Sequence, residues 1–483
     1  MSGDAPAGID TRLRIGGELR PASDGAAFDV LDPATGGPIA TVSSGTAQDA
    51  VAAVAAAHDA GRAWAATAPR ERGETLRRSF ESMIARRDEI AEVIVLESGK
   101  SWNDAVGEVN YAAEFFRWFS EEAVRVDGGL VRAPAGDKHI ITMRQPVGVS
   151  VLVTPWNFPA AMATRKIGPA LAAGCTVVLK PASDTPLTAL LVADILAEAG
   201  VPGGVVNVVP SRSSGATVGA MLADQRTRKV SFTGSTEVGV KLLEGAAQNV
   251  LRASMELGGN APFLVFADAD VEAAVDGAMV AKMRNGGESC IAANRFLVEE
   301  AIVDDFADAL TDRMAALKVG PGLDRSNDVG PVINAAAREE IHDLVHESVT
   351  AGARVTTGGA AMEDPGYFYL PTVIRDVRPD AKLLRHEIFG PVAPIVPFRG
   401  QDEAVAMAND TEFGLASYVY TSDLGRAMWV AERLEAGVVG INRGFLSDPA
   451  APFGGSKLSG LGREGAHDGL LEFLETKYIA AQW

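Results

Sequence analysis

From Val149 onward the chain keeps one rhythm: a short apolar run, a breaker, then a segment of helical spacing. VSVLVTP precedes a helix opened by Pro159, CTVVLKP one opened by Pro186, VVNVVP a short helix, and RKVSFTG a helix from Ser235. A strand made of consecutive apolar residues has no polar face to offer water, so helices must cover both sides of its sheet. Short apolar runs alternating with helices therefore indicate a doubly wound parallel sheet. Its centre is expected at strands 151–154, 176–180, 205–209 and 229–233. A second alternation begins near Ala261, with PFLVF, a helix at 270–284, RFLVEE and a helix at 301–317. It continues through YLPTVI, APIVPF, a helix at 402–409, ASYVYT, a helix at 424–434 and GVVGIN. The expected fold class is α/β, with two doubly wound parallel-sheet domains.

The remainder is more irregular. Residues 12–45 are strand-like pieces broken by GG and DP. Residues 47–66, 71–98 and 103–124 have helical spacing, and Phe80, Met83, Ile84, Ile90, Val93 and Ile94 fit one apolar stripe. Residues 138–143 alternate like a strand, and 470–483 can form a last strand, paired either with another subunit or within its own chain. The formal net charge of -19 disfavours nucleic acid and anionic membrane as partners, since both call for basic surface. No run of about 18 apolar residues could span a bilayer. The start, MSGDAPAGID, lacks the basic and apolar regions of a secretory signal. Two distant cysteines, Cys175 and Cys290, make no disulfide framework. A cytoplasmic protein is expected.

Ligands of open α/β sheets bind beyond the carboxyl ends of the strands. No GxGxxG occurs there, but FTGSTEVG (232–239) leads through Gly234 into a helix near Ser235, whose bare amides suit a pyrophosphate. Alone this reads more readily as an ordinary glycine turn. Lys180 and Ser183 follow another strand, and a lone lysine there is no better than a surface one. Asn157, just before Pro159, is either a helix cap or a donor to a developing oxyanion. Glu256 stands among apolar residues before two glycines, where a carboxylate is costly unless paired or at work. Cys290 lies 34 residues later in RNGGESCIAANR. A lone cysteine is usually a small buried hydrophobe, but a thiol, a carboxylate and an amide together make a set for covalent catalysis.

The segments TPWNFPAAMATRKIGPALAAGCTVVLKPAS, FTGSTEVG, MELGGNAP, GGESC, HEIFGPV and PFGGSKLSGLGREG, in this order and spacing from about residue 12 to the end, together resemble the aldehyde dehydrogenase superfamily. The resemblance implies that Cys290 attacks the aldehyde carbon, and that the Asn157 side chain and the Cys290 N–H stabilise the oxyanion. Hydride loss then leaves a thioester, which water activated by Glu256 hydrolyses. The implied cofactor site comprises Trp156, Lys180, Ser183, Gly234, Ser235, Glu387 and Phe389. Many NAD-preferring relatives have Glu where Ser183 stands, so Ser183 beside Lys180 implies NADP, with NAD possible. The family commonly has Gln where Glu288 stands, and this carboxylate is expected to point away from the thiol. Residues 1–125 and 145–255 are assigned to a cofactor-binding domain and 256–445 to a catalytic domain. Residues 126–144 and 462–483 are assigned to a small β oligomerisation element, and the resemblance implies a homo-oligomer, tetramer or dimer.

Within the superfamily, AMATRKIGPALAAGCTVVLKPAS and MELGGNAPFLVF most resemble succinate-semialdehyde dehydrogenases. Such enzymes hold the distal substrate carboxylate with two arginines and a serine, here Arg165, Arg284 and Ser447. A guanidinium pair with a hydroxyl suits one carboxylate, although either arginine could instead pair with a protein acid, and Asp448 stands nearby. The expected reaction is oxidation of succinic semialdehyde to succinate. The alternatives are a dehydrogenase for glutarate semialdehyde or one of broader specificity. Glu256 weighs against a CoA-acylating enzyme, and intact Cys290, Glu256 and Asn157 weigh against an inert homologue. Ala292 replaces a second cysteine found in some relatives, so no disulfide switch is expected. His342 and His346 are four apart but lack a third ligand, and no metal is expected.

Overall fold

The computed structural model describes residues 8–363 and 365–483. The acidic start lies largely outside them. The strands Val149–Val153 and Thr176–Lys180 are buried along their whole length. Their side chains alternate between two separate cores: Leu152, Val177 and Leu179 enter one, and Val151, Val153 and Val178 the other. That division is why the sequence reads as an unbroken apolar run.

The first sheet runs Glu18–Arg20, Leu13–Ile15, Val206–Val208, Thr176–Lys180, Val149–Val153, Thr227–Thr233, Arg252–Glu256, Gly460–Leu461. Its five central strands are parallel. The chain steps from Val149–Val153 outward to Val206–Val208, then returns to the opposite side with Thr227–Thr233. The crevice beyond Val153 and Thr233 is thus the topological switch point, where such sheets bind ligands. The second sheet runs Arg354–Thr357, Thr372–Arg375, Val392–Phe398, Ala293–Glu299, Ala261–Val265, Ala416–Tyr420, Val438–Ile441, and all but its first pair is parallel.

One expectation needs correction, and for the last strand, left open between two pairings, the structure shows one partner. The segment 71–98 is two helices, Pro69–Ala85 and Arg87–Ser98, because Arg86 leaves helical geometry (φ -103°, ψ 20°). Met83, Ile90, Val93 and Ile94 are buried on the expected stripe, but Ile84, next to this break, is 40% exposed. The final strand, Leu474–Ala481, pairs antiparallel with His139–Pro146 of its own chain, in a three-stranded sheet with Gly129–Arg132. Its own chain thus supplies its partner on that edge. Among the described residues no helix is long and apolar enough to cross a membrane.

Buried carboxylates cap the two helices that follow the central strands. Glu108, on the helix Trp102–Glu122, accepts from the Ala160 and Ala161 N–H groups (2.8 and 3.2 Å) at the start of the helix Pro159–Ala173. Glu97 accepts from Leu187 and Thr188 (2.7 and 3.0 Å) at the start of Pro186–Glu198. Opening with proline, neither helix forms a side-chain cap of its own. We predict that Glu97→Ala destabilises the protein by about 1–3 kcal/mol, the cost of orphaned buried donors. Glu97→Gln, which keeps an acceptor oxygen, should recover most of the loss in a thermal melt.

Candidate active site

Cys290 sits where the second domain reaches the switch point of the first sheet. The helix Val271–Met283 runs into Arg284–Gly287, where Asn285 and Gly286 both take left-handed backbone angles, and the strand Ala293–Glu299 starts shortly after the thiol. Two glycines permit close approach around this loop. A Cβ on Gly259 would lie 2.3 Å from the Cys290 carbonyl oxygen, and one on Gly287 would lie 2.3 Å from that of Gly390. The nucleophile loop is thereby pressed against both the MELGGN turn and the HEIFG loop.

Cys290 opens onto a cavity of about 230 Å3. Around this cavity the fold brings together Asn157, Arg165, Arg284 and Ser447 with Trp156, Gly234, Ser235, Glu387 and Phe389. Glu256, Lys180 and Ser183 do not line it, although Leu257 and Gly258, next to Glu256, do.

Asn157 is not a helix cap. Its Nδ2 donates to the Glu288 carbonyl (3.0 Å), which uses one of its two N–H bonds. Asn285 Nδ2 donates to the same carbonyl (2.9 Å) and to the Asn157 carbonyl (3.0 Å), so it ties the two loops together. The Glu288 side chain turns away as expected and accepts from the Ile333 N–H (3.0 Å). Two donors, the second Asn157 N–H and the Cys290 main-chain N–H, make no hydrogen bond among the described residues. Such preorganised donors beside a nucleophile are what a tetrahedral oxyanion requires.

At the other end of the cavity, Arg284 donates to the Ser447 hydroxyl (2.7 Å) and lies over the rings of Phe158 and Phe445 (both 4.9 Å). Arg284 has no acidic partner among the described residues. Arg165 does. It is buried, donates to the Tyr111 hydroxyl, and pairs with Glu464 at 3.5 Å. Asp448 is not its competitor: it is exposed and accepts from the Ala450 N–H. Glu464 also takes Lys166 as a partner. Two buried cations against one buried carboxylate leave this wall with a net charge of +1.

The same charges set the acid–base state of the site. Burial would raise Glu464, but Lys166 and Arg165 outweigh it and hold that carboxyl below its ordinary range. Glu256 ends the strand Arg252–Glu256, and neither of its buried oxygens has a hydrogen-bond partner among the described residues. Burial first, then the charge of Glu464, push its pKa well above the usual carboxylate value. Burial pushes the Cys290 thiol up to about 12, with Arg165 pulling the other way. Glu387 accepts from the Gly259 N–H (3.1 Å) and is raised to about 7 by burial.

The surroundings suit a phosphorylated nucleotide. Lys180 is buried at the end of a central strand with no ion pair among the described residues, and burial lowers its pKa to about 8. Ser183 follows it, half-buried, and Ser235 caps the helix Thr236–Ala247. A buried cation without a partner is costly, and a phosphate would supply the missing charge. The edge-to-face pair of Trp156 and Phe389, 5.3 Å between centroids, flanks the Cys290 side of the cavity.

Sequence reasoning overlooked Tyr111, Glu464, Lys100, Glu108 and Asn285. Glu464 stood inside the PFGGSKLSGLGREG segment, where its role was not sought. Glu108 and Tyr111 share a helix stripe with Asp104 (i, i+4, i+7), whose polar members a purely apolar search passes over.

A half-buried thiol, a nearby unpaired carboxylate and two unpaired donors on an α/β scaffold define an enzyme that works through a covalent acyl intermediate. The chain matches the aldehyde dehydrogenase family over residues 20–479 and belongs to that family. It is 54% identical over 441 residues to a succinate-semialdehyde dehydrogenase of Paenarthrobacter nicotinovorans, covering 91% of this chain and 98% of that one. It is 47% identical over 465 residues to the NADP(+) succinate-semialdehyde dehydrogenase of Escherichia coli strain K12, covering 96% of each. A glutarate-semialdehyde dehydrogenase of Pseudomonas putida is likewise 47% identical over 465 residues, with 96% of each chain covered. The crystal structure of a succinate-semialdehyde dehydrogenase from Burkholderia pseudomallei superposes with a TM-score of 0.98 at 44% identity, covering 100% of both chains.

Cys290 and Glu256 both hold their protons more tightly than usual, and both need to lose them to act. Reactivity should therefore rise with pH. In the cofactor-free protein, alkylation of Cys290 by iodoacetamide should accelerate by about tenfold per unit between about pH 7 and pH 9. A plateau inside that interval would show that the thiol ionises far more easily than its surroundings dictate.

Proposed function

We propose that the protein oxidises succinic semialdehyde to succinate with reduction of NADP, NAD being a possible substitute. The observation that carries this reading is the Arg284–Ser447 pair, which shares a cavity with Cys290 and has no protein carboxylate to satisfy it. Arg165 and the Tyr111 hydroxyl stand behind it as a second cationic wall.

In this reading the substrate carboxylate binds Arg284 and Ser447, which orients the aldehyde carbon toward Cys290 Sγ. The thiolate attacks, and the oxyanion that forms is held by the Asn157 side chain and the Cys290 N–H. The nicotinamide cofactor, when bound, accepts the hydride. Lys180, Ser183, Ser235, Glu387, Phe389, Trp156 and Gly234 are the residues assigned to hold it. Glu256, once deprotonated, draws a proton from water as that water attacks the thioester carbon, and Cys290 leaves as thiolate. Residues 1–125 and 145–255 are taken as the cofactor-binding part, 256–445 as the catalytic part, and 126–144 with 462–483 as the element joining subunits. The enzyme is taken as a cytoplasmic homo-oligomer, a tetramer or dimer; exposed Leu130 and Val131 on the Gly129–Arg132 strand favour a covered face there. Glutarate semialdehyde remains the second reading, because a relative of equal identity is named for it.

Arg284→Ala should impair oxidation of succinic semialdehyde far more than that of butanal. Losing one partner of a buried charged contact costs about 2–5 kcal/mol, or roughly thirty-fold to several thousand-fold in kcat/KM. Equal losses on both aldehydes would remove the main support for an acid substrate, and assays on the five-carbon homologue decide between the two semialdehydes. Ser183→Glu should shift the ratio of kcat/KM values from NADP toward NAD, by adding an acceptor for ribose hydroxyls and repelling a 2′-phosphate. An unchanged ratio would show that Lys180 and Ser183 do not read that end of the cofactor.

A further inference from the structure

Between Val153 and Pro159 the chain has little of its own to hold it. Phe158, at the cap position of the helix that follows, has non-helical angles and makes no side-chain cap, and Pro159 has no N–H to give. The segment is held from outside. Lys100 Nζ donates to the Asn157 carbonyl and to Glu108 Oε2, both at 2.6 Å. It also lies 4.4 Å from the centroid of the Phe158 ring. The other oxygen of Glu108 takes the Ala160 and Ala161 N–H groups. Both members of this ion pair are buried, with side-chain exposures of 2% and 0%. The helix Trp102–Glu122, which carries Glu108, also brings Asp104 near Asn285 of the nucleophile loop, whose main chain favours the ionised Asp104 carboxylate.

A buried ion pair is weak evidence of stabilisation, because apolar replacements of similar size often do as well. What this pair supplies is position. Glu108 fixes the start of the Pro159–Ala173 helix, and Lys100 fixes the carbonyl of the residue two before it. Asn157 then has its main chain anchored by Lys100 and Asn285, and one side-chain N–H anchored by Glu288. Its second N–H and its Oδ1 are left without partners among the described residues, and the direction of that N–H follows from the bonds that hold the rest of the residue.

We propose that Lys100 and Glu108 are positioning residues of the oxyanion site, acting through Asn157. The proposal rests on the reading of Asn157 as an oxyanion donor. It makes Lys100 part of acyl chemistry at Cys290, although Lys100 does not line the cavity.

The test separates reactions that form an oxyanion from one that does not, and needs neither cofactor nor aldehyde. In p-nitrophenyl acetate, Cys290 Sγ bonds to the carbonyl carbon, a tetrahedral oxyanion forms, and p-nitrophenolate leaves with the electron pair of the broken C–O bond. Iodoacetamide alkylates the same sulfur by displacing iodide, with no oxyanion. Single-turnover acylation should fall by about 100- to 1,000-fold in Asn157→Ala and by about tenfold or more in Lys100→Met. The double variant should be no slower than Asn157→Ala alone, within about twofold, because Lys100 has nothing else to act through. Alkylation should stay within about twofold of wild type in all three. If Lys100→Met does not fold, Lys100→Met with Glu108→Gln removes both charges and keeps an acceptor for Ala160 and Ala161, and the same criteria apply. Losses that multiply, an unchanged acylation rate, or alkylation falling in step with acylation would each overturn the proposal. An unaffected Asn157→Ala would overturn the oxyanion reading along with it.

Discussion

The carboxylate of Glu464 is buried between Lys166 and Arg165, and much of the site depends on it. Its main chain exchanges two hydrogen bonds with Phe453, which fixes the segment that closes over the cavity. Its charge draws Arg165 to the cavity wall while neutralising only one of two cations. Its charge adds to burial in raising the pKa of Glu256. Removing that single negative charge would leave the Lys166 ammonium and the Arg165 guanidinium buried near one another without their counter-charge.

The neighbouring residues show how a protein can hold ionisable groups out of solvent and keep them usable. Groups with structural duties are fully bonded: Lys100 with Glu108, and Arg295 with the carbonyls of Asn260, Met407 and Ala408. Several groups assigned to chemistry are left short, although buried Lys282, to which no chemistry is assigned, also lacks a hydrogen-bond partner among the described residues. Glu256 has no partner for either oxygen, Lys180 no counter-ion, and Arg284 only a hydroxyl. An unsatisfied buried charge is destabilising, so each of these positions is held against its own preference by the packing around it. A ligand bearing the complementary charge would meet a protein group already stripped of water by the fold, and would have only its own hydration to lose.

Much of this was legible in the residues. The alternation of apolar runs and helices follows from covering a parallel sheet on both faces, and the strands fall where the runs lie. Asn157 and Glu256 stood out as an amide and a carboxylate at expected strand ends, and Cys290 as a thiol in a glycine-rich segment before a strand. The break at Arg86 was not legible, because helical periodicity continues through it. That an arginine could pair with a protein acid was legible, but which acid was not: Asp448 is near Ser447 in sequence, whereas Glu464 is brought near Arg165 only by the fold. Neither strand Leu474–Ala481 nor strand His139–Pro146 states which partner it will take, since each offers the same backbone donors and acceptors to any edge.

The sequence by itself determined the α/β class, the order of the strands' apolar runs and the side-chain types offered for chemistry, because these depend on local periodicity and on side-chain identity. Tertiary structure alone decided which groups share a cavity, which are bonded and which are left bare. Lys100 and Glu108 illustrate the difference. In the sequence they are an ordinary lysine and glutamate eight residues apart; in the folded chain they become a buried pair, and Lys100 also holds the main-chain carbonyl of Asn157, 57 residues away. Hydrogen bonds and Coulomb forces act over a few ångströms of space, and distance along the chain does not record which groups come that close.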